Sequence, residues 1–337
     1  MLRKALEKVL AGHDLDRDET GRVVELLAST SVPRVQAGAM LAALRAKGES
    51  VSELVGGAET LRRHARFIDC GGRECVDIVG TGGDGGISFN ISTTAALVAA
   101  GAGVAVAKHG GSAVSGKSGA ADLLAALGFN LDVAPERIEE CIALHGIGFM
   151  FARKLHPLMG QVAAMRSELG IRTIFNLLGP LANPAGVKRM VVGVCDFELT
   201  ETFGAALRDL GVTRALVVHG HDGLDEISCC EPTRITELAD GRLRSRDLYP
   251  EMLLGESFSS GDIRGGTPAE NAAITLNILE GRDHGAPRAV VVLNAAAAIY
   301  VAELAPSFEA AIPLAERAID DGSARDKLNV LTRESCR

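Results

Sequence analysis

From residue 75 onward, short apolar runs alternate with Ala- and Leu-rich segments of helical period, and this alternation constrains the fold more than any other feature. The runs "CVDIVG", "GVAVAKHG", "RMVVGVCD", "RALVVHG" and "RAVVVLN" are apolar at consecutive positions, as strands are when both faces of a sheet are covered. Between them, "TTAALVAAGAG", "GAADLLAALG", residues 198–210 and residues 269–280 carry the 3.6-residue period of helices. The expected fold is therefore α/β, a mainly parallel central sheet flanked by helices. In "TRITELADGRLRSRDLYP", Asp240 and Gly241 separate two short β-like runs, which predicts a hairpin. With 47% hydrophobic residues, 4% aromatics and no Trp, the core is expected to pack Ala, Val, Leu and Ile, as close helix-on-sheet layers require.

Before residue 69 the pattern is purely helical, with segments at Leu2 to Leu10, Arg17 to Leu27, Pro33 to Lys47 and Val51 to His64. Their starts carry capping chemistry: Asp16 or Asp18 before the second, Ser31 and Pro33 before the third, and Ser50 with Glu53 as a capping box for the fourth. Residues 1–68 thus read as a small all-helical N-terminal domain and 69–337 as the α/β domain. The segment from about 165 to 190 is expected to pack with the helical unit.

A net charge of −8 without any Lys/Arg cluster argues against a nucleic-acid surface. Seven cysteines, an odd number that includes the adjacent Cys229 and Cys230, do not form a disulfide framework and fit a reducing cytoplasm. Cys70 and Cys75 offer half a zinc site, but no second pair has ligand spacing. The N-terminus lacks a signal h-region, and no apolar run reaches the roughly 18 residues of a membrane span.

The chemistry concentrates in two glycine-rich turns. "VDIVGTGGDGGISFNIST" holds Gly80, Gly82 and Gly85 between a strand and a helix, where backbone N–H groups favour an anion. A dinucleotide site also needs an acid at the end of the second strand; Lys108 and His109 stand there instead. Asp84 inside the turn would repel a pyrophosphate unless a metal ion or an oriented hydroxyl intervened. Ser88, Asn90, Ser92 and Thr93 follow at once. One helix cap uses one such residue, so the surplus points to an oxygen-rich ligand.

The second turn, "KHGGSAVSGKSG", brings Lys108, His109, Ser115, Lys117 and Ser118 to the same sheet edge, so that two loops on neighbouring strands can grip a ligand carrying phosphates at both ends. Asp225 and Glu226, in "HGHDGLDEIS" after a further strand, suit Mg²⁺, which takes one or two carboxylates together with phosphate and water. His219 and His221 are read as polar loop groups. In the helix expected over 155–169, Arg166 shares a face with Met159, Val162 and Ala163, an odd place for a cation. A snorkelling side chain or a structural ion pair is the alternative to a ligand contact.

Taken in order, "DIVGTGGDG", "FNIST", "KHG", "SGKSG", "MRSELGIRTIFNLLGPLANP", "DGLDEIS" and "AENAA" resemble the motif series of the anthranilate phosphoribosyltransferases over nearly the whole chain. "QAGAMLAALRAKGES" is similar to the helical domain that this family shares with pyrimidine nucleoside phosphorylases. The resemblance implies a nucleoside phosphorylase/phosphoribosyltransferase-like homodimer. It further implies transfer of phosphoribosyl from phosphoribosyl pyrophosphate (PRPP) to the amine of anthranilate, with Mg²⁺, in tryptophan biosynthesis. By position it assigns Gly80, Gly83, Asp84, Ser88, Asn90, Ile91, Ser92, Thr93, Lys108, His109, Gly110, Ser115 and Gly116 to PRPP. Ser92, Asp225 and Glu226 fall to the metal, and Gly80, Gly111 and Arg166 to anthranilate. No catalytic acid or base is implied, since displacement at the anomeric carbon runs on positioning and electrostatics.

Where the family usually reads "KHGNRxxSSKSGS", this chain has Gly111, Ser112, Gly116 and Ala120, and Arg153 replaces a common Pro. Altered acceptor selectivity is the expectation, with another aromatic amine as a possible acceptor. Two further readings stand beside it: a pyrimidine nucleoside phosphorylase, which "DGLDEIS" disfavours, and a non-catalytic binding relative, in which the pyrophosphate and metal motifs would be lost.

Overall fold

In a computed structural model, which describes residues 1–29, 31–83, 87–113 and 116–337, the chain opens with four helices, α1 (Leu2–Leu10), α2 (Arg17–Ala28), α3 (Arg34–Lys47) and α4 (Val51–His64). Two of the expected caps are present. The Asp16 side chain accepts from Glu19 N–H at 2.7 Å, and Ser50 with Glu53 closes a second capping box. Glu53 does more than cap: fully buried, it accepts from the Leu15 and Ser50 amides at 3.0 and 2.8 Å and pairs with Lys47 Nζ at 2.9 Å. A buried carboxylate is tolerable only when paired and hydrogen-bonded in this way.

The α/β part runs β1 (Val76–Gly80), α5 (Ile91–Gly101), β2 (Val106–Gly110), α6 (Ala120–Ala126), α7 (Pro135–His145), β3 (Ile147–Phe151), α8 (Ala152–Leu155), α9 (Pro157–Leu169), α10 (Ile174–Leu181), β4 (Arg189–Gly193), α11 (Leu199–Asp209) and β5 (Arg214–Gly220). Then come the hairpin β6 (Thr233–Ala239) and β7 (Arg242–Leu248), and helices α12 (Pro250–Leu254), α13 (Pro268–Leu279), α14 (Ala286–Val301), α15 (Phe308–Asp320) and α16 (Ser323–Ser335). Strand order is β3-β2-β1-β4-β5-β6-β7, with β1 to β5 mutually parallel and the hairpin antiparallel, turning at Asp240 and Gly241 as expected.

One expectation fails. "RAVVVLN" is not a strand but lies inside α14, which is buried nearly all round between α5, α15 and the sheet. A short apolar run has the same appearance in a buried strand and a buried helix. Length separates them here, since the segment continues through "AAAAIYV" to complete a 16-residue helix with Pro287 in its first turn. The strand β3 was not anticipated either; "IGFMF" is too short to show a period.

Alternate residues of each strand feed two cores. Ile78, Leu216 and Val218 pack beneath α5 and α14, whereas Val79, Ala215 and Val217 join α10, α11 and the four-helix unit in one continuous apolar cluster. Each fully buried Val, Leu or Ile is worth about 1.5–3 kcal/mol, so the second cluster ties the helical unit to the sheet. Helix α9 packs on α2, α3 and α4, and α10 on α4 and α3. The chain passes from β1 outward to β2 and β3 and then returns to β4 on the other side of β1. The carboxyl ends of β1 and β4 thus flank the switch point, where open α/β sheets leave a crevice.

Candidate active site at the carboxyl edge of the sheet

The crevice is a cleft of about 310 Å³. Loops after β1, β2 and β5 form one wall, and Met159 and Arg166 of α9 with Phe175 and Gly179 of α10 form the other. Gly80, Gly83, Ser88, Asn90, Ile91, Ser92, Lys108, His109, Gly110, Gly111, Gly116, Arg166, Asp225 and Glu226 all border it. Thr93 does not; one residue further round α5, it is buried against a small cavity shared with Leu124 and Phe149. Asp84 and Ser115 lie outside the described residues, as does Gly85.

The acid pair is built into the first loop. Gly82 N–H donates to Asp225 Oδ2 at 2.8 Å and Ser92 N–H to Glu226 Oε1 at 3.2 Å, joining the β5 loop to the glycine turn and to the first turn of α5. Such an approach tolerates no side chain on the strands beneath. A Cβ at Gly193 would lie 1.6 Å from the Asp225 carbonyl oxygen, and one at Gly80 would lie 2.6 Å from Asp225 Oδ2. Both carboxylates are buried. The two acidic side chains offer oxygen donors, which suit a hard divalent cation that keeps waters and phosphate oxygens as its other ligands. Among the described residues no group of three or more His, Cys, Asp and Glu could enclose a metal ion. Cys70 and Cys75 are both unbridged, and Cys75 is buried.

The two glycine loops are stitched together through Asn90. Its amide donates to the Ser118 carbonyl at 3.0 Å, and its Oδ1 accepts from Ser118 Oγ at 3.0 Å and from Asn271 Nδ2 at 2.9 Å. Asn271 in turn accepts from Gly266 N–H at 2.7 Å. Asp122 Oδ2 holds the second loop from below, accepting from the Ala113 and Gly119 amides at 2.8 Å each.

Lys108 is a buried cation at the cleft wall, and its Nζ donates to the Ile78 carbonyl. Burial pulls its pKa down, opposed by the charges of Asp77 and Glu226. His109 and His156 stand with ring centroids 5.0 Å apart. Burial holds both below the usual imidazole range, His156 at about 4. Arg166 is half-buried, with its guanidinium 5.8 Å from the Phe175 ring centroid, so it faces the cleft rather than solvent. Burial, and next the neighbouring charge of Arg172, lowers its pKa.

Several supporting residues escaped the sequence reading: Asp77, Asn183, Asn271, Asn294 and Arg172, whose Nη2 donates to the Thr81 carbonyl at 3.3 Å. For Asn294 a signal existed, since it is a lone amide in an apolar run. For Asn183 and Asn271 nothing in the local pattern distinguishes them from turn or cap residues.

The helical-bundle domain model of a glycosyl transferase family matches residues 3–65, and the a/b domain model of the same family matches residues 72–325. The chain is 49% identical over 331 residues to the anthranilate phosphoribosyltransferase of Desulfosudis oleivorans, covering 98% of each. It is also 49% identical over 333 residues to that of Syntrophobacter fumaroxidans, covering 99% of this chain and 98% of the relative. Among solved structures, anthranilate phosphoribosyltransferase from Thermus thermophilus superposes with a TM-score of 0.92 at 41% identity over 99% of both chains. The Saccharomyces cerevisiae enzyme in complex with PRPP and Mg superposes with a TM-score of 0.90 at 28% identity, over 99% of this chain and 98% of that one.

Proposed function

The chain belongs to the anthranilate phosphoribosyltransferases of this glycosyl transferase family, and from that premise we propose that the cleft at the sheet edge is where PRPP and anthranilate meet. The enzyme moves phosphoribosyl from PRPP to the amine of anthranilate and releases pyrophosphate, a step of tryptophan biosynthesis. What supports this cleft as the site is one relationship above others: the Asp225 and Glu226 carboxylates are hydrogen-bonded to the amides of Gly82 and Ser92, so acids and phosphate-type loop share one wall.

In this reading Gly80, Gly83, Ser88, Asn90, Ile91, Ser92, Lys108, His109, Gly110 and Gly116 embrace PRPP, joined by Asp84 and Ser115 from the resemblance, while Thr93, turned away from the cleft, packs behind them. Ser92, Asp225 and Glu226 would hold Mg²⁺, which when bound offsets the charge of the departing diphosphate. Lys108 adds a fixed cation that needs no reorganisation as that charge develops. Arg166 receives the anthranilate carboxylate, with Gly80 and Gly111 lining the same subsite. The bound pair is thereby oriented for attack of the amine on the anomeric carbon. A weakly basic aryl amine needs no strong base, and the buried, neutral histidines serve the wall rather than proton transfer.

A homodimer joined through the helical unit is proposed as well, on the strength of Leu10 of α1 and Val35 of α3, which are 70% and 85% exposed. Sedimentation equilibrium tests it. No helix among the described residues is long and apolar enough to cross a membrane, and the seven cysteines fit a cytoplasmic setting. The deciding assay follows loss of anthranilate fluorescence with PRPP and Mg²⁺. A steady signal with anthranilate but turnover with another aromatic amine would move the acceptor assignment, and thymidine phosphorolysis would replace it altogether.

A further inference from the structure

Strands β1 and β2 pair once and then part. Among the described residues their register holds only Val76 opposite Val106, whereas β1 with β4, and β2 with β3, each pair over five residues. The ladder begins normally, with Val76 N–H donating to the Ala105 carbonyl at 2.8 Å. Beyond it, three backbone groups that a continuing parallel ladder would use are taken by side chains. His109 N–H donates to Asp77 Oδ1 at 3.1 Å. The Ala107 carbonyl accepts from Asn183 Nδ2 at 3.0 Å. The Ile78 carbonyl accepts from Lys108 Nζ. Asn183 Nδ2 also donates to Asp77 Oδ2 at 2.7 Å, so a fully buried carboxylate and a buried amide form one connected wedge at the fork.

We propose that Asp77, braced by Asn183, is the positioning residue of the second phosphate loop: its carboxylate opens the sheet between β1 and β2 and so sets where Lys108, His109 and Gly110 meet PRPP. Asp77 itself does not border the cleft. The physical reason for a charged wedge is that strands with every ladder bond available would close on each other. Only acceptors and donors of equal strength, placed at the right height, satisfy the freed backbone groups without water. Asn183 comes from the turn after α10, so the wedge also fixes the cleft's second wall relative to the first. The opening widens the crevice toward the carboxyl edge, where a ligand bearing phosphates at both ends must enter between the two loops.

For its catalytic consequence the inference rests on the PRPP reading of the cleft, and the experiment separates the two. Asp77→Asn places an amide against the Asn183 amide and removes the charge. Hydrogen exchange should then be faster by about tenfold in peptides covering residues 106–113, from loss of charge-assisted bonds. At 25 °C the KM for PRPP should rise about tenfold or more, with the KM for anthranilate changing less. Asn183→Ala should reproduce both effects in weaker form. Glu53→Gln, at a buried carboxylate remote from the cleft, is the control: it should lower Tm and leave the KM for PRPP alone. An Asp77→Asn enzyme with unaltered exchange and PRPP kinetics, or one changed only in Tm as in the control, overturns the proposal. Wild-type protein inactive with PRPP would overturn the reading of the cleft and leave the exchange result to judge the wedge.

Discussion

Asn294 Nδ2 donates to the Ile227 carbonyl at 2.9 Å while its Oδ1 accepts from the Ile227 amide, also at 2.9 Å. A buried side chain in the middle of α14 thereby clamps the backbone immediately after Glu226. Asn294 also donates to the Val290 carbonyl at 2.8 Å within its own helix, so its rotamer is locked. Replacement by Leu keeps the volume but orphans both Ile227 groups, at a cost of about 1–3 kcal/mol. The expected outcome is a lower Tm together with a higher Mg²⁺ concentration for half-maximal rate. A magnesium dependence identical to wild type would detach Asn294 from the acid pair.

Asp225 and Glu226 are expected to act as a unit. Converting them together to Asn and Gln preserves shape and much of the hydrogen bonding to Gly82 and Ser92 but removes two negative charges. Metal-dependent turnover should vanish while the circular dichroism spectrum stays that of the wild type. Retention of wild-type rates at low magnesium would reject their metal role.

Gly111 is the departure from the family pattern most open to repair. A Cβ added there meets nothing within 4 Å, and its backbone conformation is one that other residues adopt. Gly111→Asn is therefore expected to fold unchanged and to supply the missing acceptor contact. One such hydrogen bond contributes about 0.5–1.5 kcal/mol, which reads as a KM for anthranilate lowered by roughly twofold to tenfold. An unchanged or raised KM would mean that this chain recognises its acceptor by other groups.

On acidification the buried imidazoles should cost stability, against an opposite contribution from Asp77, whose carboxyl burial pushes up to about 6. Burial holds His156 at about 4 against an ordinary 6.5 and pushes His109 well below its usual value. The unfolded chain then binds the protons more readily, so the stability from these groups is complete above pH about 6.5 and is lost as pH drops toward 4. For His156 alone the loss approaches about 3 kcal/mol. Urea unfolding between pH 8 and 4.5 measures it, and His156→Gln should flatten the curve; a variant as pH-sensitive as wild type would assign the loss elsewhere.

Much of the architecture was readable from local pattern. The caps at Asp16 and Ser50 depend on side-chain-to-backbone bonds three residues apart, and the turn at Asp240 and Gly241 on positive φ; both are short-range and leave their mark in the sequence. The glycine loops and the acid pair were legible for the same reason, as each is a contiguous stretch whose composition suits an anion or a cation. Helix α14 was misassigned because burial on all sides erases the periodic contrast between faces, which is the only thing a pattern can show. Thr93 looked like its neighbours in "FNIST" because a row of small polar residues does not reveal which one the helix turns inward.

By itself the sequence determined the capped helices, the turns and the chemical inventory: where glycine-rich turns fall at strand ends, and which acids and cations are at hand. Only the tertiary structure decided how that inventory is aimed. The separation of β1 from β2 by Asp77 and Asn183, residues 106 positions apart, and the seating of Asp225 over Gly80 and Gly193 depend on contacts between distant elements. Their energies come from burial and hydrogen-bond completion across the assembled layers, terms that no short window of sequence contains.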